Sequence, residues 1–250
     1  ILFSNYFKKE NISNRLCDDG FIEINELCFY NDDIEVLQSF IDNSYSSGID
    51  LGCDDYGGWY CGSPNPQMDS IEDAWYWNTV DSTTYLFANG NGIVEPLELG
   101  IQEWENGRLE SIMCGAYIYC ELSGEIPENI NNLTEINQFR MEYNYLSGLI
   151  PESICSLELN DDDYLEFDLT GNNLCPPFPE CVENGIGYQD SNDCYNLGDI
   201  NYDGFINVID IVEIVNLILN VVFNPDVDMN NDLIINVQDI VIIVEIIINN

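Results

Sequence analysis

The sequence predicts a mixed α/β protein: a short solenoid of parallel coils held between disulfide-rich caps, followed by a small helical module built on two acidic loops. Three observations predict it. An apolar pattern recurs every 24 residues after position 109, a twelve-residue acidic motif occurs twice at a spacing of 29, and the chain has ten cysteines but no histidine. The expected segments are an N-terminal stretch and disulfide hairpin over 1–31 and a cap region over 32–108. The repeats and their closing cap follow over 109–183, then a linker over 184–198 and the acidic-loop module over 199–250.

Residues 17–30 read as a hairpin, with 21–24 and 27–30 as strands, Asn25 and Glu26 as the turn, and Cys17 paired with Cys28 across its base. Next, 32–43 reads as a capped amphipathic helix with Ile34, Leu37, Phe40 and Ile41 on one face. The stretch 44–92 is rich in Gly, Asn, Ser and aromatics, among them Trp59, Trp75 and Trp77, and a further pair, Cys53 with Cys61, is expected inside it. Its aromatics either pack under long loops, the commoner arrangement, or form a platform for sugar rings.

From Leu109 the pattern Leu109, Ile112, Gly115, Tyr117, Cys120, Leu122 returns as Leu133, Ile136, Phe139, Met141, Asn144, Leu146. A degenerate third copy runs through Phe167, Leu169, Asn172 and Leu174. Each copy would be one coil, its leucines pointing inward and its Asn satisfying backbone amides from inside, so that Asn144 and Asn172 are core residues and not ligands. The rows read LxxLxLxxNxLxGxIP, with LSGEIP and LSGLIP nearly verbatim, and they resemble the plant-type leucine-rich repeats. That resemblance implies a concave face formed by Ala116, Ile118, Tyr119, Arg140, Glu142, Tyr143, Asp168 and Thr170, either a binding surface or an ordinary solvated one. It also likens 174–181 to a closing segment in which Cys175 pairs with Cys181, leaving Cys155 for Cys194. Cys114 and Cys120 join the expected disulfide set with their connectivity open, and other pairings among these six cysteines remain possible.

The two acidic loops carry the clearest chemistry. In 199–210 the residues Asp199, Asn201, Asp203, Asn207 and Asp210 stand at positions 1, 3, 5, 9 and 12, with the carbonyl of Phe205 at position 7. In 228–239 the same places hold Asp228, Asn230, Asp232, Asn236, Asp239 and Ile234. Short oxygen-bearing side chains at alternate positions, closed by a carboxylate from the following helix, are what a hard cation with six to eight oxygen ligands needs. Both loops are therefore expected to bind calcium. The spacing resembles the dockerins, whose paired loop-helix repeats close with Asp at position 12. Leu233 departs from that pattern where Gly204 stands in the first loop, so the second site should be weaker. Val208 and Ile209 in the first loop, and Val237 and Gln238 in the second, stand in place of the Ser/Thr pair with which cellulosomal dockerins engage cohesins, so the resemblance does not carry that partner over. The runs 208–220 and 237–249 read as helices apolar nearly all round, which either bury themselves or dock onto another molecule.

A net charge of −41, from 46 acidic against 5 basic residues, excludes nucleic acid and anionic membranes as partners, and no apolar run is long enough to span a bilayer. The hydrophobic content of 46% argues against disorder. Ten cysteines point to an oxidising compartment, and the lack of histidine removes imidazole-based catalysis and Cys/His metal sites. The chain starts without Met, as a processed secreted protein would, and carries sequons at Asn11 and Asn132. Lys8, Lys9 and Arg15 concentrate three of the five cations beside an apolar start, ILFSNYF.

The expectation is a secreted or cell-surface, non-catalytic protein that docks through its calcium-folded end to a protein partner, with another copy in a head-to-tail assembly as the candidate. The alternative is an accessory protein that binds or degrades polysaccharide.

Overall fold

The computed structural model describes residues 17–51, 62–72, 76–115, 117–191, 194, 198–201, 205–220, 222–224, 227–230 and 232–249. The first elements form where the local chemistry places them. Strands β1 (Phe21–Ile24) and β2 (Leu27–Tyr30) pair antiparallel with Ile24 opposite Leu27. The two-residue turn puts Asn25 and Glu26 at φ 52° and 67°, the left-handed pair whose twist matches that of the strands. Cys17 and Cys28 are disulfide-bonded across the hairpin. Helix α1 (Asn31–Ser47) runs a turn beyond the predicted end and stops at Gly48, whose φ of 66° terminates it without a Cβ penalty. Its Ile34, Val36, Leu37, Phe40 and Ile41 are buried.

The central structure is a six-stranded mixed sheet. It combines β3 (Asn78–Val80), β4 (Thr83–Tyr85), β5 (Ile101–Glu105), β6 (Arg108–Met113), β8 (Gln138–Arg140) and β10 (Phe167–Asp168) in the order β10-β8-β6-β5-β3-β4. A separate row of short strands, β7 (Ser123–Gly124), β9 (Tyr145–Leu149) and β11 (Asn173–Cys175), pairs in the order β11-β9-β7. One core, from Phe29 to Ile186, lies against these strands, with Trp104, Phe29, Phe40, Phe139 and Phe167 among its largest members.

This architecture corrects the predicted fold class. The molecule is mixed α/β, but it is not a leucine-rich-repeat solenoid between separate caps joined to a dockerin-like domain. Strands β6, β8 and β10 are parallel, yet the same sheet continues through antiparallel β5 and β4 and through β3, all from the region expected to be a cap. The 24-residue register also fails in the first row: Ile112 stands opposite Phe139, where the repeat alignment put Ile136. The physical reason lies between Cys114 and Cys120, which are bonded to each other and take the intervening residues out of the strand path. The closing disulfides are exchanged as well. Cys155 pairs with Cys181 and Cys175 with Cys194, in place of the Cys175–Cys181 and Cys155–Cys194 pairs implied by the family likeness.

Within this fold the buried amides are accounted for by side chains. Asn144 accepts from Leu122 N (2.9 Å) and donates to the carbonyls of Cys114 and Met141. Asn172 accepts from Leu146 N (3.0 Å) and donates to those of Met141 and Leu169. Gln189, absent from the sequence reading, extends the series by accepting from Leu174 N (3.1 Å). Such pairing is required because an unpaired buried amide costs about 1–3 kcal/mol.

The C-terminal part has a small core of its own. Helices α2 (Val208–Asn220) and α3 (Val237–Asn249) have the predicted bounds and bury Ile214 and Ile243 together with Val227 and Ile200. Most of their other apolar side chains are partly or well exposed.

Candidate functional site

In each acidic loop the residue that closes the motif is the best buried of the described residues. Asp210 has no exposed surface and accepts from the amides of Ile200 (2.8 Å), Asn201 (3.3 Å) and Asn207 (2.8 Å), tying the loop to the first turn of α2. Asp239 does the same at α3, accepting from Met229 N (3.0 Å) and Asn236 N (2.7 Å). Asn207 and Asn236 accept from Ile209 N and Gln238 N, both at 2.8 Å, which caps the helices. In the second loop Asp228 accepts from Asp232 N and Leu233 N, and Asp232 from Ile234 N. Leu233 stands at φ 64°, so the sharp turn that suits glycine is made here by a residue with a Cβ, at a conformational cost.

Asp199 is nearly fully buried, Asn201 is half-buried, and the Asn230 amide reaches Asp232 (2.9 Å). The carbonyls of Phe205 and Ile234 accept from Asn207 Nδ2 (3.0 Å) and Asn236 Nδ2 (3.2 Å). Asp203 lies outside the described residues, as do Cys53, Cys61 and Asn11. Among the described residues no group of three or more Cys, Asp or Glu side chains is disposed to hold a metal ion. The donor set is nonetheless oxygen throughout, which is hard-cation chemistry. A carboxylate such as Asp239, which accepts from Met229 N and Asn236 N, has about four lone-pair sites and keeps capacity for a ligand.

Around the loops the helices present an apolar surface. Val208, Val237 and Leu219 are 66%, 66% and 74% exposed, and Phe205, Ile209, Val212 and Val241 are exposed as well. No helix among the described residues is long and apolar enough to cross a membrane.

The face expected from Tyr119, Arg140, Glu142 and Tyr143 is only half formed. Tyr119 and Tyr143 are exposed, with φ of 54° and 57°, and the Tyr143 ring lies against Gly171, where a Cβ would stand 2.7 Å from it. Arg140 and Glu142 are instead turned into an ion pair, and Glu142 is only 3% exposed. This corrects their assignment to an open surface: Gly115 has no Cβ, and the Glu142 carboxyl fills that space. Burial pushes the Glu142 pKa up, and the Arg140 guanidinium only partly opposes it. The sequon residue Asn132 is half-buried at the end of the 3-10 turn Glu128–Asn132, and its Thr134 hydroxyl accepts from Arg108 (2.9 Å).

Two arrangements escaped the sequence reading because their members are far apart in the chain. Arg108 donates to both oxygens of fully buried Asp33 (2.8 and 3.0 Å) and lies over the Tyr30 ring, 4.3 Å from its centroid. The Asp33 bonds hold the Arg108 pKa above its ordinary value. Asp69 and Glu98, from two separate 3-10 turns, meet as a buried carboxyl pair. The only signal for the first was Arg108 itself, one of five cations in an acidic chain. No family model matches the chain, and no curated protein matches it.

Proposed function

We propose that the chain is a secreted, non-catalytic assembly protein in which the two C-terminal loops each take a calcium ion and so set α2 and α3 for docking onto a partner protein, a second copy of the chain. The observation that carries this reading is the pairing of two features on one small module: buried Asp210 and Asp239, which tie oxygen-rich loops to helix starts, and the apolar surface on the helices that follow. Asp199, Asn201, Asp203, Phe205, Asn207 and Asp210 would hold the first ion, and Asp228, Asn230, Asp232, Ile234, Asn236 and Asp239 the second. The ion supplies positive charge that an acidic chain with five cations lacks, and folding energy comes with it. The likeness of the last 52 residues to dockerins, read from the loop spacing, supports the calcium assignment and not a cellulosomal partner. Disulfides Cys17–Cys28, Cys114–Cys120, Cys155–Cys181 and Cys175–Cys194 suit an extracellular setting.

The test is light scattering and far-ultraviolet circular dichroism on the purified chain, in millimolar calcium and then in excess chelator. Calcium is expected to raise both helical signal and particle mass, and chelation to reverse them. A helical signal indifferent to chelator overturns the calcium reading, while a calcium-dependent fold that stays monomeric overturns the second copy as partner. Exposed Tyr117, Tyr119 and Tyr143 favour a second reading, a platform for neutral polysaccharide. Affinity electrophoresis of Tyr143→Ala against the parent chain tests it, and equal mobility in glycan-loaded gels removes it.

A further inference from the structure

Away from the acidic loops, two carboxyls from distant parts of the chain are buried against each other. Asp69 closes the 3-10 turn Pro66–Asp69 and Glu98 the turn Pro96–Glu98, and each residue is 3% exposed. Asp69 accepts three backbone hydrogen bonds from one loop: Asn89 N (3.1 Å) and Gly90 N (2.6 Å) on Oδ1, and Gly92 N (2.6 Å) on Oδ2. Glu98 accepts from Glu95 N (2.9 Å) and from the Asn89 side chain (3.1 Å), and it is in hydrogen-bonding contact with Asp69. The loop 89–94 is thus fastened to the rest of the fold mainly through this pair, and two adjacent buried carboxylates cannot both ionise cheaply.

We propose that Asp69 and Glu98 form a one-proton latch: with a proton shared between them the loop 89–94 is clamped, and loss of that proton loosens the loop.

The division of roles follows from the hydrogen bonds. Burial pushes the Asp69 pKa up, but the three amides outweigh it and leave the group below its ordinary value, so Asp69 is the ionised member. Glu98 is pushed up to about 7, first by burial and then by the negative charges of Asp69 and Glu95, against the opposing Glu95 amide. Protonated Glu98 donates to Asp69 while still accepting from Glu95 N. The other groups facing the pair do not compensate a second charge. Glu95 is itself acidic and is held by Asn89 Nδ2 (2.7 Å), and from α1 the Tyr45 hydroxyl accepts from Val94 N (3.2 Å). Asn78 and Gln102, from β3 and β5, are neutral and are occupied by the carbonyls of Leu97, Pro96 and Leu99.

Glu98→Gln carries the neutral charge of the protonated state: its amide N–H can donate to Asp69 while its oxygen accepts from Glu95 N, and Asn89 Nδ2 then keeps only the Glu95 carboxylate as its acceptor. Hydrogen exchange followed by mass spectrometry on peptides covering 86–95, corrected for intrinsic base catalysis, reads the latch directly. Between pH 6 and pH 8 protection in the parent chain should fall about tenfold, as expected for a controlling proton lost near neutrality. In Glu98→Gln it should stay flat over this range. Parent protection that is constant over this range overturns the proposal, and so does a Glu98→Gln variant whose profile follows the parent's. The parent curve alone decides the matter if the variant fails to fold.

Discussion

Asp33→Ala is the sharpest perturbation this fold offers. Asp33 has no exposed surface and accepts three hydrogen bonds, two from Arg108 and one from Leu109 N (3.0 Å), so it joins α1 to β6 through a carboxylate that water does not reach. Removing one partner of a buried pair costs about 3–5 kcal/mol. The Arg108 side chain is 20% exposed and keeps Thr134 (2.9 Å), Glu135 (3.5 Å) and the Tyr30 ring as company, which places Asp33→Ala near the low end, about 3 kcal/mol. Arg108→Met leaves the Asp33 charge buried with only the Leu109 amide, so it should cost more, about 4 kcal/mol. The double variant Asp33→Ala with Arg108→Met should cost less than the sum of the singles by at least about 1.5 kcal/mol, since it removes both charges together. Urea unfolding in calcium-containing buffer, followed by tryptophan fluorescence, provides the measurement, because Trp104 is buried edge-on against Phe29 in the same core. An Asp33→Ala cost below about 1 kcal/mol, the range of exposed ion pairs, or strict additivity in the cycle, would refute the reasoning.

Three further outcomes are expected. Asn172→Ala leaves Leu146 N without its acceptor, while the carbonyls of Met141 and Leu169 keep Asn144 Nδ2 and Gln189 Nε2 as donors, and should lower stability by about 1–3 kcal/mol, read as a fall in Tm. Leu233→Gly relieves a left-handed residue by about 1 kcal/mol and should tighten calcium at the second loop roughly fivefold by isothermal titration, whereas unchanged affinity counts against the strain. Glu142 has a folded pKa raised above its ordinary 4.5, chiefly by burial, so the folded state retains a proton that the unfolded chain has released. Its contribution is therefore fully present below that ordinary value and is lost as pH rises through the folded one. Glu142→Gln should flatten this part of the Tm profile above pH 4, and a profile that matches the parent's would exclude Glu142 as its source.

Legibility in the sequence tracked the distance over which each feature is decided. The hairpin 21–30, the face of α1 and the bounds of α2 and α3 were readable because each depends on neighbours a few residues apart: a two-residue turn, a helical stripe, an Asx cap. Asn144 and Asn172 were readable as buried for the same reason, as fixed points of a local pattern. The repeat spacing misled at Ile112, because a 24-residue alignment carries no information about the Cys114–Cys120 bond that shifts the strand. It misled again at Glu142, whose outward position in the pattern is overridden by the space that Gly115 leaves.

By itself the sequence determined the acidic charge, the oxidising chemistry of its cysteines, the two oxygen-rich loops and the helices that follow them, since all of these are properties of composition or of contiguous residues. Only the tertiary structure decided that the repeat strands join β3, β4 and β5 in one mixed sheet, which cysteines pair at its end, and that Asp33 meets Arg108 and Asp69 meets Glu98. These contacts span long stretches of chain, and they are selected by the burial and hydrogen-bond satisfaction of the whole core, which no local pattern encodes.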